Sequence, residues 1–429
     1  MPAIPAGHSV DWYRVPLPPG QLEALNRRSD LLGLAQSLGY LTVCVATGAV
    51  AVWAAMGHHW WILAGALVAH GNVTAFMINA VHELVHGTVF RTRWLNTLFV
   101  HLFAFIGWIN HRQFWVSHAE HHQHTMHFPY DQENVFPIRY RFADFFRDAT
   151  INPMALRWII TGHWRTARGR LEGDWEKHLL EGQERRFAVA SWSRWLLIGH
   201  ALIAIISLTY GLWIIPVVVS LTPLYCKGLF WLLNNTQHVG LIESVSDFRL
   251  NCRTIIVNPV FRFLYWHMNW HIEHHMYAGV PCYRLGALHR AIAHELPESP
   301  KGLVATWYHI IGVMFRQQQE PGWAFRAQLP GETKPSVDQD KLIAPSPSVA
   351  AVGSSERRIV WQCSICAFIY DELLGLPTEG IPAGTRWQDI PADWRCPHCG
   401  VSKSDYAMVE IARPVTISPL SSLVFALNP

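Results

Sequence analysis

Long uncharged stretches alternate with polar, histidine-rich ones along the chain, and the uncharged stretches predict membrane-crossing helices. Residues 31–57, between Asp30 and His58, carry no charged side chain, and about 20 apolar residues suffice to cross a hydrocarbon core of about 30 Å. A second span runs from about Trp60 to Val81, interrupted by His70, Asn72 and Asn79. Trp195 to Cys226 lacks Asp, Glu, Lys and Arg. As one helix it would be roughly 48 Å long, so Tyr210-Gly211 and Pro216 are read as a break between two spans, near 195–210 and 212–234. The stretch Trp94 to Asn110, bounded by Arg93 and His111, is short and is expected to lie on the membrane surface. Four crossings put residues 82–194 and everything after 235 on one side. The connections near 57–59 and 210–212 have no Lys or Arg, whereas 82–194 holds Arg139, Arg141, Arg147, Arg165, Arg168 and Arg170. By the positive-inside rule that side and both termini are cytoplasmic.

Composition sharpens this picture. Only 15% of the 429 residues are charged against 50% hydrophobic, well below the charge of an average soluble domain. A net charge of +3 leaves no basic excess for nucleic acid. The first 30 residues include Arg14, Arg27 and Arg28 and no apolar run, so no cleavable leader is expected and the first apolar segment stays as a helix. From about Pro330 to Glu356 the chain turns to Pro, Ser, Ala and Gly, a linker composition. The expected organisation is an N-terminal segment 1–30, a membrane domain 31–328, a linker 329–357, a small cysteine-bearing domain 358–411 and a tail 412–429. The fold class is therefore a mainly α-helical integral membrane protein, with about four transmembrane helices, a histidine-rich helical cap and one small appended domain. A bacterial-type inner membrane is the expected location.

The 25 histidines are clustered. His82 and His86 are four apart and share a helical face. His118, His121 and His122 form His-x-x-His-His, and the pattern recurs at His271, His274 and His275. Three imidazoles on one face repel on protonation and serve no packing purpose, so these triplets point to metal. With His238, after Asn234-Asn-Thr-Gln, there are nine candidates, more than one metal uses. Imidazole suits Zn, Cu, Fe and Ni alike. A lone imidazole near a membrane interface is ordinarily a polar surface residue, and His58, His59, His70, His101, His163 and His200 are read so. His111, His124, His127 and His267 lie near the clusters but out of register. Glu83, Glu120 and Glu273 sit inside them, as orienting carboxylates or as solvated helix residues.

His82-Glu-Leu-Val-His86, His118-Ala-Glu-His121-His122-Gln-His-Thr125 with Asp131 following, and Asn269-Trp-His271-Ile-Glu-His274-His275 resemble the three histidine boxes of the membrane fatty acid desaturases, a likeness running from about 72 to 328. It implies a non-haem di-iron centre at a cytoplasmic face, with His82, His86, His118, His121, His122, His238, His271, His274 and His275 as ligands. It also implies dioxygen as cosubstrate and two electrons per turnover.

Of eight cysteines, Cys44, Cys226, Cys252 and Cys282 are scattered without disulfide-like spacing. Cys363-Ser-Ile-Cys366 and Cys396-Pro-His-Cys399 make two knuckles, a tetrahedral thiolate site suited to iron or zinc. Their separation exceeds that of an ordinary zinc ribbon. Tyr370-Asp371, Gly384-Thr-Arg-Trp387 and Ile390-Pro-Ala-Asp-Trp394 between them resemble rubredoxin, with Ala367 where rubredoxins usually carry Gly. The resemblance implies one iron held by four thiolates, passing electrons singly. The expected function is desaturation of an aliphatic, fatty acyl or lipid-like substrate, with electrons from a rubredoxin or ferredoxin reductase supplied by NAD(P)H. Hydroxylation of an alkane, fatty acid or other aliphatic is the alternative, and an electron-transfer protein without substrate oxidation is the alternative of another class. Lys227, an ionisable residue within an apolar span, is a candidate for the substrate tunnel.

Overall fold

The computed structural model describes residues 10–18, 20–133, 142–320, 322–332, 358–363, 365–366, 368–403 and 408–413. Residues 333–357 of the proposed linker, Ala367 and the tail beyond 413 lie outside the described residues.

Asp30–Met56 is a single helix of 27 residues, about 40 Å long at the usual rise. Ser29 caps it through its hydroxyl, which accepts from the Leu32 amide, and the Asp30 carboxylate accepts from Thr92 N and Oγ1. Its inward stripe, Gly33, Gln36, Ser37, Tyr40, Cys44, Gly48 and Ala51, recurs at three- and four-residue steps and is mostly small. Small side chains let neighbouring membrane helices approach closely. Leu31, Leu38, Val45 and Trp53 on the other face are exposed, as lipid contact requires. The second span, Trp60–Val85, is bent between Thr74 and Met77. Tyr40 donates to the Val73 carbonyl just before that bend. Gln183–Thr209 is the third span.

The return crossing is not the continuous helix the hydropathy predicts. Residues 212–234 form a short helix Ile214–Val219, a turn at Thr222–Leu224 and a second short helix Gly228–Asn234. Pro216 and Pro223 remove amide donors, and Cys226 takes a left-handed φ of 53°. Exposed backbone at membrane depth must find internal partners, and here it does. Asn152 N donates to Leu224 O, Cys226 N to Thr150 O and Lys227 N to Asp148 O, and Leu229 N donates to the Asn72 side chain. Gly71 makes room for this break, since a Cβ there would lie 2.6 Å from the Tyr225 carbonyl. Lys227 thus caps a short helix at the break rather than sitting within a span.

His70, His163 and His200 also depart from expectation. His70 bonds Thr47 and the Val218 carbonyl, His200 bonds Ser220 and the Phe105 carbonyl, and His163 bonds Ser193 and the Trp108 carbonyl. They tie helices together instead of facing headgroups. Exposed Trp53, Trp60, Trp61, Tyr210 and Trp213 surround the 57–59 and 210–213 connections, an interfacial aromatic belt. Arg93–Ile106 is a short apolar helix of 14 residues.

The C-terminal unit is a three-stranded antiparallel sheet of order β2-β1-β3, with β1 Arg358–Cys363 between β2 Ile369–Asp371 and β3 Met408–Arg413. Tyr370, Phe368, Trp387 and Trp394 fill its core. Its knuckles rest on the histidine-bearing face of the membrane domain. Asn26 Nδ2 donates to the Cys399 carbonyl at 2.8 Å, Arg395 pairs with Glu23 at 3.0 Å, and Ala278 joins the cysteine unit's own apolar cluster.

Candidate di-metal centre

The histidines arrive in groups on four separate elements. His82 lies in the last turn of the helix Met77–Val85 and His86 caps it. His118, His121 and His122 lie on His111–His124, which Asn110 caps through the Gln113 amide. His271, His274 and His275 lie on the short helix His271–Met276, and His238 follows Gly228–Asn234. The four elements converge, and all nine imidazoles are buried, none more than 6% exposed.

The nine divide into two groups. His82, His86, His118, His122 and His274 bring one nitrogen each within 4.8 Å of one another, and so do His121, His238, His271 and His275. In the first group Nε2 of His118 lies 3.2 Å from that of His86 and 2.9 Å from that of His122, and His274 lies 3.1 Å from His122. In the second, His271 Nε2 lies 2.9 Å from His238 and 3.2 Å from His275. Metal–imidazole bonds of about 2.1 Å place adjacent octahedral ligands about 3.0 Å apart, so the donors are spaced as two metal ions require. The stacked rings of His122 and His275, 4.5 Å apart, join the groups.

Burial first, and neighbouring imidazoles second, push His118, His122, His274 and His275 well below the usual histidine range. Neutral imidazole is the form a metal binds. His121 is the exception: burial lowers it, but the Asp131 carboxylate outweighs this and raises it to about 9.

Partners on the far nitrogens hold the rings. His121 Nδ1 meets Asp131 at 2.9 Å, His118 Nδ1 meets Glu133 at 3.2 Å, and His82 Nδ1 meets Glu83 at 3.1 Å. His238 Nδ1 donates to the Asn251 carbonyl at 2.8 Å, and His275 Nδ1 bonds the Thr125 hydroxyl at 3.2 Å. Glu83 therefore takes the orienting role. Glu273 instead bonds Thr254 and His289, and Glu120 pairs with His124 and His178. His111 packs on His101 and Trp192, away from the centre. Sequence reasoning missed Glu133 and the Asn251 carbonyl. Glu133 lies in an irregular segment and Asn251 ends the four-residue helix Phe248–Asn251, and only the acidic Asp131–Glu133 pair after the second box offered a signal.

Asp131 also accepts from the amides of Met126 and Glu133. Asp131→Asn is expected to weaken metal retention about 10- to 100-fold, read as iron lost to a chelator against wild type. Unchanged retention would show that His121 needs no carboxylate.

In the C-terminal unit the sulfurs of Cys363, Cys366, Cys396 and Cys399 lie within 4.8 Å of one another, all buried. Cys366 and Cys396 Sγ are 3.5 Å apart, close to the roughly 3.8 Å edge of a tetrahedron with metal–sulfur bonds of about 2.3 Å.

A helical membrane protein with two adjoining imidazole-rich sites and an appended tetrathiolate site is an oxidoreductase in which a metal centre is served by a one-electron carrier. The chain belongs to the fatty acid desaturase family, which matches residues 58–307, and it carries a rubredoxin domain, matched over 360–406. The rubredoxin part is 75% identical over 52 residues to rubredoxin-2 of Pseudomonas aeruginosa, covering 12% of this chain and 94% of that protein. It is 61% identical over 51 residues to rubredoxin-1 of Alcanivorax borkumensis, again 12% of this chain and 94% of that protein. The four cysteines bind iron, and the desaturase domain implies a di-iron centre at the histidine clusters, which the donor spacing fits.

Proposed function

We propose that this protein is a membrane desaturase that uses dioxygen and rubredoxin-delivered electrons to convert an aliphatic, acyl or lipid-like chain to an alkene. His82, His86, His118, His122 and His274 hold one iron and His121, His238, His271 and His275 the other, while Cys363, Cys366, Cys396 and Cys399 hold the rubredoxin iron. The observation that carries this reading is the convergence of nine buried imidazoles into two groups of metal-ligand spacing. When bound, the two irons supply the oxidising power to remove hydrogen from an unactivated C–H bond. Burial favours the neutral form of most of the imidazoles, and Glu83, Asp131, Glu133 and the Asn251 carbonyl orient the rings of His82, His121, His118 and His238. The burial of the nine imidazoles keeps bulk water from the metal-ligand nitrogens. No side-chain nucleophile or acid is required.

Hydroxylation remains the second reading, because the same donor set and carrier serve both outcomes. The two His-x-x-His-His boxes favour desaturation. Product mass spectrometry from cells with and without the protein separates them: loss of two hydrogens supports desaturation, gain of one oxygen overturns it. The lack of Lys and Arg near 57–59 and 210–212, against an arginine-rich 82–194, supports a cytoplasmic site for the centre and the rubredoxin domain. The electrons would then come from NAD(P)H through a soluble rubredoxin or ferredoxin reductase.

Lys227 stays a candidate for the substrate path on its place at the break in the fourth crossing, where its ammonium interacts with Asp148. Lys227→Met is expected to raise apparent KM with iron content preserved. Unchanged kinetics across a substrate series would leave it a residue that only stabilises the break.

A further inference from the structure

The seat of the rubredoxin domain on the membrane domain is built around one hydrogen bond. His86 Nδ1 donates to the Ile365 carbonyl at 2.5 Å. Ile365 directly precedes Cys366 within the first knuckle. Two iron sites are therefore joined by a short path: Cys366 Sγ, Cβ, Cα and N, then Ile365 C and O, then the hydrogen bond and the Nδ1–Cε1–Nε2 edge of His86. The same bond fixes the His86 tautomer that leaves Nε2 free for metal.

The surrounding surface is shaped for this contact. A Cβ on Gly279 would lie 2.8 Å from the Cys399 carbonyl and 2.9 Å from Val401 Cγ2, so glycine lets the second knuckle seat. Asn26 holds that same carbonyl. Arg14, its Nε on the Met276 carbonyl, brings a cation toward Cys366, Cys396 and Cys399, whose thiolates carry net negative charge around iron. Glu23 and Arg395 close the rim.

We propose that His86 is the electron entry point of the di-iron centre, reached from the rubredoxin iron through the Ile365 carbonyl in this docked arrangement. It rests on the reading of these histidines and cysteines as iron ligands. In each transfer one electron leaves the ferrous rubredoxin iron, which becomes ferric, and reduces one ferric ion of the histidine centre to ferrous. No other reactant is consumed. His86 acts here as ligand and conductor, and Gly279, Asn26, Glu23 and Arg395 are positioning residues.

The test is flash photoreduction of the anaerobic, substrate-free holoenzyme, following the return of the visible ferric Fe–thiolate absorption as the electron moves on. Mössbauer spectra of the resting protein check separately that both sites hold iron. In wild type the return should be independent of protein concentration. Gly279→Val should slow it about tenfold, the factor that 1.4 kcal/mol of overpacking at the seat corresponds to, with both iron signals intact. An unchanged rate in that variant would overturn the proposal. If Gly279→Val loses histidine-bound iron, the charge pair decides. Glu23→Arg should slow transfer a few-fold at low ionic strength, and Arg395→Glu added to it should restore the rate. No change in the first, or no recovery in the pair, overturns the docked route. Because no substrate is present, a hydroxylated product elsewhere would revise the reaction without touching this result.

Discussion

Replacing His271, His274 or His275 with Ala abolishes turnover while the protein still inserts in the membrane. Each change removes one imidazole from a converging set. His274 Nε2 sits 3.1 Å from His122 in the first group, whereas His271 and His275 meet in the second at 3.2 Å. An Ala at 274 leaves four donors of five, and at 271 or 275 three of four. Loss of His271 or His275 should therefore strip iron more completely than loss of His274. Insertion survives because the short helix His271–Met276 lies outside the long apolar helices Asp30–Met56, Trp60–Val85 and Gln183–Thr209 and outside the broken crossing at 212–234. Iron content of the purified variants and product formation in cells are the measurements. Near-normal product from any of the three would remove that residue from the ligand set.

Cys396→Ser is expected to bleach the visible Fe–thiolate absorption and stop electron delivery, while leaving the histidine-bound iron in place. Cys396 is 1% exposed, and its amide and carbonyl bond Val401 and Gly400. The serine therefore stays inside the knuckle, where its hydroxyl replaces one of the four soft thiolate ligands with a harder oxygen. Mössbauer spectroscopy separates the thiolate-bound iron from the histidine-bound pair. Retained colour would point away from a four-thiolate site. Activity restored by added free rubredoxin would show the membrane domain intact.

Periodicity made much of this molecule legible before any coordinates. The i, i+3, i+4 spacing placed His118, His121 and His122 on one face, and the cysteine knuckles declared a tetrahedral site. The assignment of His121 to one group and His118 and His122 to the other was not legible, because it depends on how three helices cross. The return crossing failed for a related reason. Hydropathy sums side chains, and the helix between 219 and 228 is broken by backbone bonds to residues 148–152, which are distant in sequence. His70 and His200 were misplaced because an isolated imidazole reads alike whether it faces water or spans two helices.

The seating of Cys399 and Ile365 against Asn26, Gly279 and His86 has a further consequence for supply. A donor joined to its acceptor by residues 333–357 of the same chain is present at an effective concentration on the order of millimolar, whatever the cell makes of free rubredoxin. The oxidase should then saturate with its own carrier at any expression level. Turnover per molecule would be limited by the reductase, and diluting the membranes should leave the reduction of the histidine centre unchanged.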